Sequence, residues 1–104
     1  MDRRRNPIPL TEQVALRRQA VADVLSHPQW SLRQSIRHIK HTLRLTTLEM
    51  AKLSGIGFRT LQDIEQGRSE GTVQTMNRIL GILGLRLGVV MQAAEADDES
   101  PPSP

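Results

Sequence analysis

Apolar residues recur at helical spacing along the chain, in stretches separated by capping residues, prolines and glycines. Thr11 is expected to cap a first helix that stops near Ser26, because the His-Pro pair at 27–28 disfavours its continuation. The apolar face of this helix is Val14, Val21, Val24 and Leu25. Ser31 and Gln34 have the spacing of a capping box, which predicts a second helix. That helix has an apolar side of Leu32, Ile36, Ile39 and Leu43 and a basic side of Arg33, Arg37, Lys40 and Arg44.

Two very short helices are predicted next, joined by a turn that contains glycine. A second capping box, Thr46 with Glu49, opens a helix that runs only to Ser54, since Gly55 permits the positive φ of a sharp turn. Gly57 is placed at the N-cap of the following helix, Phe58 to Gln66, which Gly67 ends and which turns Leu61 and Ile64 inward. Short helices in this arrangement are typical of a helix-turn-helix.

The last regular elements are one more helix and a strand. Thr72 is expected to cap a helix that Gly84 ends and whose apolar residues are Val73, Met76, Ile79, Leu80 and Leu83. Residues 85–91 then alternate between apolar and other positions, which predicts a strand. Because the chain offers this strand no partner, we expect it to pair with the same strand of a second copy.

Composition supports a small helical domain. The chain has 104 residues, of which 38% are hydrophobic and only 2% aromatic, so its core must come from aliphatic side chains. This favours packed helices, and the predicted fold class is all-α. The chain contains no cysteine, which excludes disulfides, cysteine-based zinc sites and a thiol nucleophile. No paired carboxylates, positioned nucleophile or cofactor loop is present, so we expect neither an enzyme nor a cofactor.

Charge is distributed unevenly. All 14 Lys and Arg residues and seven of the 11 acidic residues fall within residues 1–92, whereas residues 93–104 carry four acids. A basic body of this kind favours a polyanion, and duplex DNA is the commonest. We expect residues 1–10 to form a flexible basic arm with Arg3 to Arg5, residues 11–30 a helix and linker, and residues 93–104 a disordered tail. Neither a signal sequence nor a membrane span is predicted, so the expected location is the cytoplasm.

The run from Leu45 to Gly67 resembles the helix-turn-helix of the Xre family, the phage-repressor and Cro class of DNA-binding domains. The matching positions, 11 of 23, are Leu45, Thr46, Glu49, Ala51, Gly55, Ile56, Thr60, Leu61, Ile64, Glu65 and Gly67. Ala51 lets the two helices approach closely, and Gly55 permits the turn between them. Thr47 and Gly57 depart from the family, which usually has Gln and Ser or Thr there.

The resemblance implies which side chains face DNA. The helix Phe58 to Gln66 would lie in the major groove as the recognition helix. Its base-facing residues would be Phe58, Arg59, Gln62 and Asp63, and the residues on phosphates would be Thr46, Thr47, Thr60 and Arg68. Lys40 and Glu65 match a family pair that forms an internal salt bridge, with Lys in place of the usual Arg, so we predict a structural contact between them.

The stretch from Gly71 to Val90 resembles HipB-like antitoxins, in which a helix leads into a strand that pairs across a dimer. The two resemblances together cover about residues 32–91, within a predicted DNA-binding domain of residues 31–92. They imply a bacterial, nucleoid-associated homodimer that binds a pseudo-palindromic operator, represses its own operon and holds a HipA-like kinase toxin, single-chain or split. The dimer contacts would be made by Leu85, Leu87, Val89 and Met91.

The sequence leaves other interpretations open. The main role could be sequestration of the toxin, with DNA binding as feedback, or repression by a stand-alone regulator of a mobile element. His38 and His41 share a helix face, but two imidazoles rarely hold a metal, so we expect solvated or phosphate-facing histidines. Trp30 is expected to anchor the first helix to the rest of the domain. The arginines at 3–5 could enter a minor groove, although a solvated arm is the simpler reading.

Overall fold

A computed structural model describes residues 8–91, and over this range the chain is all-α, with five helices. Their bounds are Leu10–Leu25 (α1), Leu32–Thr42 (α2), Thr47–Ser54 (α3), Phe58–Glu65 (α4) and Val73–Leu80 (α5), followed by a 3₁₀ turn at Gly81–Leu83. No strand occurs between residues 8 and 91. Arg3 to Arg5 of the predicted arm and the acidic tail predicted for residues 93–104 lie outside the described residues.

The predicted capping residues begin three of the helices. Ser31 Oγ accepts the Gln34 N–H at 3.1 Å, and Gln34 Oε1 accepts the Ser31 N–H at 2.7 Å, which confirms the first capping box. Thr46 and Glu49 form the second in the same way, and Thr72 Oγ1 accepts the N–H of residue 75 at 3.0 Å. Each cap satisfies backbone donors that have no partner within the helix, and this fixes where α2, α3 and α5 begin.

The start of α1 differs from the prediction. The helix begins at Leu10, with Pro9 rather than Thr11 at the N-cap position and no side-chain cap. The carbonyl oxygen of Pro9 accepts the first helical hydrogen bond, from Gln13 N at 2.9 Å. The fixed φ of proline suits entry into a helix, so the chain can start here without a hydroxyl.

The turn between α3 and α4 has the expected backbone. Gly55 follows Ser54 with φ of 74°, a left-handed conformation that glycine adopts with little strain. Gly57 then takes an extended conformation at the N-cap of α4 and offers no side-chain cap. These two glycines set the angle between the short helices α3 and α4.

One continuous core joins α2 to α5. Its fully buried large side chains are Ile36, Ile39, Met50, Leu61, Ile64 and Ile79. Ala51 is buried in the same cluster, where its small side chain lets α3 and α4 approach closely. Because Leu61 and Ile64 lie on the inner side of α4, the opposite side of that helix is left at the surface.

Helix α1 packs on this core through part of the predicted face, because Val24 contacts the core and Val21 is half-buried. Ala20 is its only fully buried residue, whereas Val14 and Leu25, expected to point inward, are exposed. The inner side of α1 is set by Ala20 and Val24, four residues apart, which leaves Val14 and Leu25 towards the outer side. Glu12 pairs with Arg44 at 3.2 Å and Asp23 with His38 at 2.7 Å, and both contacts reach across to α2 and the residues after it.

Trp30 contributes to the same junction, as expected from the sequence. Its ring stacks on that of His27, which follows α1, with ring centroids 4.2 Å apart. It also contacts the ring of His38 in α2, tilted by 49° at 4.8 Å. The tryptophan therefore ties the end of α1 to α2.

The Asp23 contacts predict how stability depends on pH. The hydrogen bond from His38, and then that from Gln19 at 2.7 Å, hold the pKa of Asp23 below its ordinary value of 3.8. A carboxyl whose pKa is lowered by folding stabilises the protein above its unfolded-state pKa, and this contribution is lost as pH falls through the folded-state pKa. Wild type should therefore lose stability relative to Asp23→Asn as the pH falls below 3.8.

Urea denaturation of both proteins, from about pH 6 down to about pH 3, measures this difference. The free energies of unfolding should differ most at the upper end of the range and converge in acid. An unchanged difference across the range would contradict the assigned role of Asp23.

Candidate nucleic-acid interface

The outer side of α4 carries the residues predicted to face bases. Phe58 is 42% exposed, Arg59 is exposed, and Gln62 and Asp63 are half-buried. They recur at the spacing of one helix face, opposite Leu61 and Ile64. Core packing thus fixes the inner side of α4, while its outer side presents an aromatic ring, a guanidinium, an amide and a carboxylate.

Two predicted DNA-contacting residues bind each other at the end of α4. Arg68 donates to Asp63 Oδ1 from Nε at 2.9 Å and from Nη2 at 2.7 Å, and its Nη1 donates to Gln66 Oε1. The sequence prediction gave Asp63 and Arg68 separate roles, on a base and on a phosphate. The ion pair reduces the repulsion that a carboxylate would exert on a phosphate, and it holds the guanidinium beside the outer side of α4.

The predicted phosphate-contacting threonines occupy different environments. Thr46 and Thr60 are exposed, and although Thr46 Oγ1 accepts the cap bond at 3.0 Å, its O–H remains a donor. Thr47 is half-buried, and its Oγ1 donates to Glu65 Oε1 at 3.0 Å while it accepts a bond from Lys40 Nζ at 3.1 Å. The internal role of Thr47 was missed from the sequence, because its partner lies 18 positions away.

The predicted contact between Lys40 and Glu65 is confirmed. Lys40 Nζ lies 3.1 Å from Glu65 Oε1, with side chains 29% and 10% exposed respectively. Arg33 Nε also donates to the backbone oxygen of Glu65, at 2.9 Å. With Thr47, these contacts join α2, α3 and α4 through one residue, because the Glu65 carboxylate binds Lys40 and Thr47 and its backbone oxygen binds Arg33. They hold α4 in addition to the apolar core.

The second carboxylate oxygen of Glu65, Oε2, is buried and has no hydrogen-bond partner within residues 8–91. Lys40→Arg offers a planar fork of donors that suits both carboxylate oxygens. We expect this substitution to raise the free energy of unfolding by about 1 kcal/mol, measured by urea denaturation. Lys40→Gln should be less stable than wild type, because it leaves the carboxylate without a cation. An arginine variant less stable than wild type would contradict this account of Glu65.

Most acidic groups in the described part of the chain are already engaged. Besides the pairs of Glu12, Asp23, Asp63 and Glu65, Glu49 closes the α3 capping box, which leaves Glu70 as the one acid without such a contact. The cations that have no hydrogen bond or ion pair within residues 8–91 are Arg17, Arg18, Arg37, Lys52, Arg59 and Arg86. The surface therefore carries an excess of positive charge that includes the outer side of α4.

The predicted dimerisation residues divide into two groups. Leu85 and Leu87 are half-buried against the core of their own chain, and the Leu87 N–H donates to Asn77 Oδ1 at 2.7 Å. Val89 and Met91 are fully exposed, at 101% and 92%. Pairing of this segment with a second copy stays a prediction, and the exposed half is the part that is free to make it.

The described residues contain neither a cluster of metal ligands nor a helix that could cross a membrane. No group of three or more His, Asp or Glu side chains between residues 8 and 91 could hold a metal ion. His38, which we expected to be solvated or to face a phosphate, instead contacts Asp23 at 2.7 Å and Thr42 at 3.2 Å. In the same part of the chain, the helices are too short or too polar to cross a bilayer.

Comparison with protein-family models, with curated proteins and with solved structures finds no match to this chain.

Proposed function

We propose that the protein is a sequence-specific double-stranded DNA-binding repressor that acts as a homodimer. The observation that carries this proposal is the α3-turn-α4 unit. Its second helix is held by the burial of Leu61 and Ile64 and by the contacts of Glu65 with Lys40 and Thr47. On the opposite side, the helix presents Phe58, Arg59 and Gln62. A short helix of this kind, anchored along one side and rich in donors on the other, suits the major groove.

In the proposed complex, the exposed residues of α4 read base edges. Arg59 donates two hydrogen bonds to a guanine, Gln62 pairs with an adenine, and Phe58 contacts a thymine methyl group. Asp63 accepts a hydrogen bond from a cytosine amino group and keeps its ion pair with Arg68. Base contacts of these types discriminate between sequences because each base pair displays a different donor and acceptor pattern in the major groove.

Phosphate contacts position the same helix. Thr46 at the N-terminus of α3, Thr60 on α4 and Arg68 after α4 are exposed and carry hydrogen-bond donors. In this proposal Thr47 acts through Glu65 and Lys40, by holding α3 against α4, rather than through its own phosphate bond. Such contacts fix the register of the protein on the duplex and carry no sequence information.

Dimerisation would place two copies of α4 on one operator. The exposed residues Val89 and Met91 support pairing between copies beyond Leu87, where the chain leaves its own core. A two-fold dimer presents its recognition helices to half-sites about 34 Å apart, one turn of the duplex. Binding to its own promoter and association with the nucleoid belong to this proposal.

A second candidate function is sequestration of a protein partner, for which the resemblance suggests a HipA-like kinase toxin. The outer face of α1 favours it, because Leu10 and Leu25 are 73% and 65% exposed and Val14 lies on the same side. Sequestration would be the main role if a neighbouring gene encodes a kinase-like protein and if mixing with this protein inactivates that kinase. A mobile-element repressor would lack such a neighbour.

Selection of duplexes from a random-sequence pool tests the proposed function. We expect enrichment of a pseudo-palindromic motif whose two half-sites are about one helical turn apart. Enrichment of a single half-site would support sequence-specific recognition but contradict the proposed dimer. Recovery of unenriched DNA after repeated rounds would contradict sequence-specific recognition.

A further inference from the structure

A cationic cleft lies on the side of α2 that faces away from the core. It has a volume of about 640 Å³ and is lined by Arg37, His38, Lys40, His41, Arg44 and Leu45. None of these lining residues is acidic, and five of the six carry a basic group. This composition suits an anion with several oxygen acceptors.

The carboxylates around the cleft bind only some of its donors. Glu12 pairs with Arg44 at 3.2 Å, Asp23 contacts His38 at 2.7 Å, and Glu65 pairs with Lys40 at 3.1 Å. The side chains of Arg37 and His41 have no hydrogen bond or ion pair within residues 8–91. These two residues are therefore the donors that an incoming anion would meet first.

The cleft adjoins the N-terminal end of α3. Lys40 Nζ lies 3.1 Å from Thr47 Oγ1, in the first turn of that helix, and Leu45 directly precedes the cap residue Thr46. The cleft and the proposed phosphate contact at Thr46 therefore belong to one surface. The N-terminus of α3, which carries the positive end of the helix dipole, lies beside Lys40.

Arg44 has an unusual backbone conformation at the edge of the cleft. Its φ of 59° makes it the only non-glycine residue with positive φ in the described part of the chain. Glycine adopts this conformation with less strain, so an arginine here has a conformational cost. Its presence adds a cationic side chain at a position where the turn itself would favour glycine.

We propose that this cleft binds backbone phosphates of the same duplex whose bases α4 reads, an inference that rests on the proposed function. Arg37 and His41 lie four residues apart on one side of α2, and Arg44, two residues beyond the end of the helix, lines the same cleft, so the three donors form a row. A row of donors can follow the phosphates of a strand. The α2 contact would add affinity without adding base preference.

Salt dependence of DNA binding, measured by fluorescence anisotropy, tests this assignment with Arg37→Gln. The matched control is Arg18→Gln, which removes the same charge from a residue that lines a different groove, beside Leu83. We expect Arg37→Gln to weaken binding to a selected and a scrambled duplex by a similar factor, and to reduce the salt slope by about 1. Arg18→Gln should leave the slope close to that of wild type.

The outcomes separate the two proposals. A wild-type protein with no preference for any duplex would overturn both. A wild type that prefers the selected duplex, with equal slopes for the Arg37 and Arg18 variants, would overturn the cleft assignment alone. His41→Gln provides a second variant that should reduce affinity without changing base preference, so a misfolded Arg37 variant would not leave the question open.

Calorimetric titration with sodium pyrophosphate distinguishes a DNA backbone from a small phosphorylated ligand. We expect no saturable binding of pyrophosphate to the free protein, since a row of donors does not enclose one small anion. Binding that depends on Arg37, together with an unchanged DNA salt slope in Arg37→Gln, would overturn the assignment to DNA.

Discussion

Replacing Leu61 with alanine is expected to lower the free energy of unfolding by about 2 to 5 kcal/mol. Leu61 lies on the inner side of α4 and is fully buried in the cluster that joins α2 to α5. Its truncation removes apolar burial and leaves a cavity between packed helices, and the two losses add. A small domain is stable by only about 5 to 15 kcal/mol, so this substitution alone should shift the unfolding midpoint strongly.

Urea denaturation followed by circular dichroism measures the effect, with Thr60→Ala as the control on the same helix. Thr60 is exposed, so its substitution should change the free energy of unfolding by no more than about 0.5 kcal/mol. Equal effects of the two substitutions would contradict the packing described for α4. The result tests the fold independently of any DNA.

Arg59→Ala is expected to weaken binding to the selected duplex by about 1 to 3 kcal/mol and to relax the preference at one base position. Arg59 is exposed on the outer side of α4 and has no hydrogen bond or ion pair within residues 8–91, so the substitution should leave the fold intact. The expected loss comes from two hydrogen bonds to one guanine. It is measured by anisotropy on the selected duplex and on variants with each base changed.

Arg59→Lys is the matched control for charge. Lysine keeps the cation but lacks the planar fork, so this variant should retain most of the salt dependence and lose most of the discrimination. If Arg59→Ala weakens binding to all duplexes by the same factor, with no change in base preference, Arg59 would instead contact a phosphate.

Local sequence signals predicted much of the fold. The capping boxes at Ser31 and Thr46 and the left-handed turn at Gly55 depend on residues within a few positions of one another, and all three were confirmed. The Lys40 contact with Glu65 spans 25 positions, and it was predicted only because the family resemblance supplied the pair. The base-facing residues of α4 were likewise supplied by the resemblance, whereas helical periodicity identified Leu61 and Ile64 as its inner residues.

Other features that depend on distant partners were not predicted from the sequence. The apolar spacing of α1 favoured Val14 and Leu25 as inward residues together with Val24, but only Val24 packs against the core. The alternation of residues 85–91 indicated a strand without showing that Leu85 and Leu87 pack on their own core. Periodicity identifies a face, whereas the partner of that face is set by tertiary contacts.

Competition binding at two salt concentrations tests whether α4 recognises a DNA sequence. Fluorescence anisotropy would compare the duplex upstream of the coding sequence of this chain, or the selected duplex, with a shuffled duplex of equal length. If α4 recognises a sequence, the protein should prefer the specific duplex, and the preference should persist at the higher salt concentration. Equal binding to both duplexes that collapses as salt increases would show phosphate attraction alone and would contradict sequence recognition by α4.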